Sequence, residues 1–257
     1  MLVTTSHDAD EGMVEKAARI ARELGGRFVP RDCMSVAKLA AVHGDDNVLL
    51  VTERELKLYA GGGQSLFFHP GMSLVRVKRL MNGESDTVVD VSGARRGDEV
   101  LDCTAGLAAD AIVFSYAVGS EGRVTAVESE PALWLLVREG LTSYVTPLDE
   151  VNAAMRRIRL VLGDHLGILR TLPDRSVDIV YFDPMFRKPV ERSSAMNPLR
   201  AVANHAPLSP EAVEEARRAA RRTVVMKEHR DSGEFERLGF RKLARSHSKI
   251  AYGVIRL

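Results

Sequence analysis

Four acidic residues stand at the ends of apolar runs: Asp102 after EVL, Glu128 after RVTAV, Asp164 after RLVLG and Asp183 after VDIVYF. One such carboxylate is ordinarily a helix cap. Four at successive strand ends form a row along one rim, and the crevice beyond the carboxyl ends of the strands is where open α/β sheets bind ligands. The first run leads into the small-residue turn Thr104-Ala105-Gly106-Leu107, which lets a ligand approach the backbone and opens a helix whose free N–H groups face the crevice. This turn is not GxGxxG, and no Lys-Ser/Thr follows it, which disfavours a dinucleotide or nucleoside triphosphate pyrophosphate site. A ligand with adenosine and no obligatory phosphate fits better. Glu128, 22 positions beyond Gly106, can accept both hydrogen bonds of a ribose diol. Asp164 can accept from an exocyclic adenine amine, with His165 either beside the ligand or facing solvent at a helix N-terminus.

The fourth run continues as Asp183-Pro184-Met185-Phe186. A carboxylate, a proline that removes an N–H and stiffens the turn, and an aromatic ring together suit a flat nitrogenous substrate. Asp183 and the Pro184 carbonyl can accept the two hydrogens of an exocyclic amine while Phe186 stacks on its ring; alternatively Phe186 plugs the end of the sheet.

Elements must hold these residues in place. From Glu99 onward, apolar runs alternate with helical patterns: EVLDCT, a helix over 107–117, RVTAVES, a helix over 130–141, a less regular helix near 149–156, RLVLGD, a helix over 165–172, VDIVYFD, a long loop over 184–208, a helix over 210–221 and TVVMKE. Runs buried on both faces and separated by helices imply a mostly parallel, doubly wound sheet. GFRKLARS and KIAYGVIRL then suggest a closing antiparallel hairpin. Residues 1–85 form a small α/β unit with strands at LVTT, RFVP, NVLLVT, ELKLYA and LFFHP and helices after Asp8 or Asp10, over 35–42 and over 73–81; residues 86–257 form the larger domain. Gly61-Gly62-Gly63 has no helix or Lys-Ser/Thr behind it and reads as a hairpin turn rather than a phosphate loop.

The 257 residues are 45% hydrophobic and 28% charged, which supports a packed core and excludes disordered and fibrous classes. Net charge is +1, yet it is unevenly placed. From Arg187 onward 16 Lys/Arg face 8 Asp/Glu, whereas the residues before it carry 20 against 27. Cys33 and Cys103 are far apart and in no CxxC pattern, so neither a disulfide framework nor a metal site is expected. No leader or spanning segment is evident, and a cytoplasmic protein is expected. Arg187, Lys188, Arg192, Arg200, Lys227 and Arg230 fit a phosphate-holding rim. Arg217, Arg218, Arg221 and Arg222 read instead as a solvated helix face pairing with Glu214 and Glu215. Arg76, Lys78 and Arg79 are either substrate contacts or part of a structural brace.

The run VLDCTAGLAADAIVFSYAVG, then VESE, then VYFDPMF, resembles the class I S-adenosylmethionine-dependent methyltransferases with their Rossmann-like fold. TAGL with a nearby Asp110, and DPMF rather than a DPPY-type tetrad, most resemble the RsmJ family of bacterial small-subunit rRNA guanine-N2 methyltransferases. The resemblance runs from Leu101 to Lys227, and the N-terminal part resembles a branch apart from the enzymes of known target. It implies S-adenosyl-L-methionine held by Ala109-Asp110, Glu128-Ser129, Asp164-His165 and Asp183, beside the strand-end Asp102 and the turn that follows it. It also implies ribosomal RNA or the small subunit as partner and, through the likeness of VVMKEH to the family's VVVK strand, Lys227 as a substrate contact; Met185, Phe186, Arg187 and Lys188, in and just after the tetrad, are candidate substrate contacts on their own chemistry. The chain departs from the family at Ala108, where Gly is usual, and at Asp164-His165, where small hydroxyl residues are usual. A small-molecule or protein methyltransferase, a non-catalytic cofactor-binding module and, more distantly, a nicotinamide oxidoreductase are the competing expectations.

Overall fold

The computed structural model describes residues 1–60, 65–186, 197–243 and 248–257. Gly61, Gly62, Gly63, Arg187, Lys188 and Arg192 lie outside the described residues. The N-terminal part comprises β1 (Leu2–Thr5), α1 (Glu11–Glu23), β2 (Arg27–Phe28), α2 (Val36–His43), β3 (Val48–Val51), β4 (Leu56–Tyr59), β5 (Ser65–Phe67) and α3 (Met72–Met81). Its sheet runs β2-β1-β3-β4-β5, parallel through β3 and antiparallel beyond it. Helix α1 starts where the Asp10 carboxylate accepts from the Met13 N–H, and it buries Ala17, Ile20 and Ala21, one stripe of an otherwise charged helix.

The larger part continues with α4 (Thr87–Ser92), β6 (Glu99–Asp102), α5 (Ala109–Val118), β7 (Arg123–Glu128), α6 (Pro131–Ser143), α7 (Asp149–Arg157), β8 (Arg159–Leu162), α8 (His165–Thr171) and β9 (Val177–Phe182). It ends with α9 (Asn197–Val202), α10 (Pro210–Ala219), β10 (Ala220–His229), α11 (Glu234–Arg237), β11 (Arg241–Leu243) and β12 (Ile250–Arg256). The sheet order is β11-β12-β10-β9-β6-β7-β8. Strands β10 to β8 in that order are parallel, and β12 enters antiparallel between β10 and β11, so the tail is the expected hairpin. The chain winds outward from β6 to β8 and then returns to β9 on the other side of β6. The switch point therefore opens between Asp102 and the residues after Phe182.

Side chains alternate across each strand. On β9, Ile179 and Tyr181 join the core shared with α5, α6 and α7, whereas Val180 and Phe182 join the core under α8 and α10. The first of these cores also contains Val3, Leu49, Phe68 and Val77, so the N-terminal part packs continuously against α5 and α6, the helices that cover one face of the larger sheet. Close approach there depends on Gly140 of α6. A Cβ at that position would fall inside the Phe68 ring, which itself meets Tyr144 edge-on at 5.8 Å. Gly140→Ala is expected to lower stability by about 1–3 kcal/mol through overpacking, outweighing its better helix propensity. Urea denaturation of the variant against wild type checks this, and an equal or higher midpoint would contradict it.

The structure corrects the expected elements in several places. The stretch 184–208 expected as loop contains α9, and α4 and α11 were not foreseen. Helix α10 stops at Ala219, so Arg221 and Arg222 lie on β10, at a break in its register against β9 between Ala220 and Thr223. Only Arg218 makes the expected pairing, to Glu215 at 2.7 Å. Arg221 instead reaches Glu99 and Asp178, each at 3.2 Å, and Arg222 pairs with Asp98. These acidic groups crowd the opposite end of the sheet from the switch point, and the bulge turns the two arginines toward them.

Candidate active site

A cavity of about 210 Å³ opens at the carboxyl ends of the strands. Thr104 and Gly106 after β6, Glu128 and Ser129 at the end of β7, and Asp164 and His165 after β8 line it. Asp183, Pro184 and Met185 after β9 close the same wall. Asp102, Ala105, Leu107, Ala109, Asp110, Phe186 and Lys227 do not line it. A further part of the lining, which the sequence did not reveal, is built by Asn204 and the segment from Ala206 to Ser209, between α9 and α10, with Asn204 donating to Ser129 Oγ at 3.4 Å. Buried Cys103 also contributes, and burial pushes its thiol up, so it stays neutral.

The glycine-poor turn is held by side chains. Gly106 has φ +51, and its N–H donates to Glu128 Oε2 at 3.0 Å. Glu128 Oε1 accepts from the Glu130 N–H at 3.0 Å, so backbone donors fix both oxygens of a carboxylate that lines the cavity. Burial raises Glu128 despite these bonds. Ala108 adopts φ +61, the left-handed region that glycine enters at no steric cost, which accounts for the glycine usual at that place in the resembling family. Asp102 is buried behind the turn, its Oδ1 accepting from the Thr104 N–H at 3.0 Å, and burial pushes it up to about 8. It is thus a neutral acid supporting the loop from behind.

Asp164 caps α8 by accepting from the Leu166 and Gly167 N–H groups at 3.0 and 3.1 Å, while its exposed side chain also borders the cavity. His165 does not simply face solvent: it packs edge-on against Phe182 with ring centroids 5.8 Å apart, and burial lowers its pKa.

Asp183 sits where two strands converge. Its N–H donates to Thr104 Oγ1 at 2.6 Å, joining the first turn to the tetrad. Register pairs Met226 of β10 with Phe182 of β9, so Lys227 and Asp183 emerge side by side, with Nζ 2.7 Å from Asp183 Oδ2. Nζ also donates to Asp110 Oδ2 at 3.0 Å, and the Tyr181 hydroxyl donates to that same oxygen at 2.8 Å. The ammonium is thereby held between two carboxylates rather than presented to a substrate. Burial pushes Asp183 up to about 6 against the attraction of Lys227, with the Asp110 charge adding to the rise.

Arg76 and Arg79 of α3 are likewise engaged within the protein. Arg76 grips Asp86 with two bonds of 2.8 Å and reaches Asp110 Oδ1 at 2.5 Å, and Arg79 pairs with Glu84. Lys78 is exposed. Arg200 lies on α9, and Arg230 approaches Asp231 at 3.6 Å. Among the described residues, no helix is long and apolar enough to cross a membrane.

The cavity chemistry suits an adenosyl ligand bearing a positive charge. Glu128 offers lone pairs to a diol, His165 and Met185 supply apolar surface, and Asp183 brings a carboxylate to the other end. Comparison with known proteins points the same way. A family model described as "Putative SAM-dependent methyltransferase" matches residues 34–238. The chain is 39% identical over 254 residues to "Uncharacterized protein YpiP" of Bacillus subtilis (strain 168), covering 99% of this chain and 98% of that one. It is 30% identical over 174 residues to "Ribosomal RNA small subunit methyltransferase J" of Ectopseudomonas mendocina (strain ymp). That match covers 67% of this chain and 62% of the relative, less than two thirds of the relative's length. The crystal structure of the SAM-dependent methyltransferase NGO1261 from Neisseria gonorrhoeae shares the fold, with a TM-score of 0.63 at 19% identity over 100% of this chain and 96% of that one.

Proposed function

The chain belongs to the SAM-dependent methyltransferases, with S-adenosyl-L-methionine as its cofactor, and on that premise we propose that it methylates the exocyclic N2 of a guanine in small-subunit ribosomal RNA. The observation carrying this reading is Asp183, followed by Pro184 and Met185, on the wall of the cavity that also holds Glu128. The RNA part of the reading is supported by the relatives named for small-subunit ribosomal RNA methylation and by the basic surplus that begins at Arg187.

When bound, S-adenosylmethionine would supply an electrophilic methyl group, with the thioether as the leaving group that takes the electrons of the C–S bond. Glu128 would hold the ribose hydroxyls, and the Gly106 turn would let the backbone approach the ligand. The task left to the protein is position and charge. A guanine N2 lone pair is delocalised into the ring and is a poor nucleophile. Asp183, ionised above its raised pKa, accepts one N2–H and the Pro184 carbonyl the other, which returns electron density to nitrogen and aims it. Once the C–N bond has formed, nitrogen sheds one proton to Asp183 or water. Phe186, next along the tetrad, half-buried and outside the cavity lining, would stack at the cavity mouth on a base that has left its helix.

Glu128→Ala removes both charge-assisted hydrogen bonds to the diol, each worth about 1.5–3 kcal/mol, and is expected to weaken S-adenosylmethionine binding by roughly 100-fold or more by calorimetry. Unchanged affinity would place the ribose elsewhere. For the substrate, purified protein incubated with labelled methyl donor is expected to label small-subunit RNA or particles, with affinity falling steeply as salt rises. Salt-insensitive transfer to a small molecule or protein would overturn the RNA assignment.

A further inference from the structure

We propose that Arg76, on α3 in the N-terminal part, is a positioning residue for Asp183, acting through Asp110 and Lys227 so that docking of α3 sets the carboxylate that holds the substrate amine. The inference rests on the reading of Asp183 given above.

Five charged side chains form one continuous chain of alternating sign: Asp86, Arg76, Asp110, Lys227 and Asp183. The links are the two Arg76–Asp86 bonds of 2.8 Å, Arg76–Asp110 at 2.5 Å, Lys227–Asp110 at 3.0 Å and Lys227–Asp183 at 2.7 Å. Asp86 and Asp110 expose only 8% and 7% of their side chains, Arg76 and Lys227 18% each, and Asp183, at the open end, 26%. Three anions against two cations leave one negative charge in excess, and Asp183 is the member that lines the cavity. The interior location makes these couplings stronger than the same pairs in water.

A simple brace between α3 and α4 is complete with the Arg76–Asp86 fork. The further bond to Asp110 ties that brace to the active site, because Asp110 shares the ammonium of Lys227 with Asp183. Arg76 satisfies one oxygen of Asp110 and fixes the carboxylate. The other oxygen then draws Lys227 away from exclusive pairing with Asp183, whose second oxygen is left for the substrate.

The groups facing Asp183 are Lys227 from β10, Asp110 from α5, Asp102 from β6, Tyr181 from β9, Tyr252 from β12 and Arg76 from α3. Asp102 is held neutral to about 8, and burial pushes both tyrosines up, Tyr252 to about 12. Between pH 5 and 7, where Asp102 stays largely protonated, the charges Asp183 feels within this cluster are therefore those of Lys227, Asp110 and Arg76. Their removal has opposite signs. Losing the Arg76 cation raises the Asp183 pKa; losing the Asp110 anion lowers it, because a like charge disappears and Lys227 gains a single partner.

The test is a carbon-13 titration of the Asp183 carboxyl, assigned by its absence from Asp183→Asn, in wild type, Arg76→Gln, Asp110→Asn and Arg76→Lys, alongside the pH dependence of kcat. Asp110→Asn is expected to move the Asp183 midpoint down by about one pH unit, and Arg76→Gln to move it up by about half a unit. Arg76→Lys, which keeps the charge, is expected to return it toward wild type and supplies a folded alternative if Arg76→Gln is too unstable to titrate. The acid limb of kcat is expected to follow the same order. Midpoints that stay at the wild-type value, or that shift in one direction for both charge removals, overturn the proposal. Absence of transfer by wild type would instead refute the amine-holding reading, and the carboxyl titration would still decide the coupling.

Discussion

Asp183→Ala is expected to abolish methyl transfer, lowering kcat by about 10³-fold or more, while the protein remains folded. The size follows from losing the acceptor that both orients the amine and concentrates electron density on it, a loss on the scale of removing a preorganised electrostatic group from an active site. Folding should survive because Lys227 keeps Asp110 as a partner at 3.0 Å, so no buried ammonium is left bare. Asp183→Asn keeps an acceptor oxygen without the charge and should fall between the two. The wild-type enzyme should lose activity as pH drops through about 6, since the raised pKa of Asp183 means that the acceptor becomes protonated there. Single-turnover kinetics against pH, with circular dichroism as the folding control, provide the check. Near-normal turnover by Asp183→Ala would remove Asp183 from the chemistry altogether.

The largest stability effect is expected at Arg76. Replacing it with methionine leaves Asp86 without its guanidinium and Asp110 with only Lys227 and the Tyr181 hydroxyl as partners, both carboxylates buried, and breaking such a pair costs about 3–5 kcal/mol. The pH dependence has a definite sign. Burial penalises both carboxylates, yet Arg76 holds Asp86 below its ordinary value, and Lys227 and Arg76 together hold Asp110 well below. A carboxyl depressed in the folded state contributes stability above its unfolded pKa of about 4 and loses it as pH falls toward the folded value. The deficit of Arg76→Met should therefore be full at neutral pH and shrink in acid. Urea denaturation at pH 7 and at pH 3 measures both points. A deficit below about 1 kcal/mol at neutral pH would mean that the pairs contribute little.

The sheet and one wall of its cavity were legible because the relevant signals are local. Apolar runs ending in Asp102, Glu128, Asp164 and Asp183 declare both strands and their rim, and the tail hairpin follows from two short extended runs. Lys227 could be found beside Asp183 from the alignment of two parallel strands. Arg76 could not be assigned, because its partner Asp110 is 34 positions away and meets it only when α3 packs on α5. The arginines at 221 and 222 misled for the converse reason. Their spacing continues the helical pattern of AEEARRAARR, and the acidic groups that draw them onto a bulged strand lie on β6, β9 and the turn before β6. Helix α4 escaped notice because TVVDVS is rich in β-branched residues, and it is defined by the Asp86 cap accepting from the Val88 N–H. The further cavity lining, Asn204 and Ala206 to Ser209, carries no motif at all; only the return of the chain from α9 to α10 brings it beside Ser129.

The most direct measurement is nucleoside mass spectrometry with fragment mapping of small-subunit ribosomal RNA from a host strain with the gene deleted, and from that strain complemented with wild type or with Asp183→Ala. One N2-methylguanosine should vanish on deletion, return with the wild-type gene and stay absent with Asp183→Ala. An unchanged set of methylated guanines in the deleted strain, or full restoration by Asp183→Ala, would contradict the assignment.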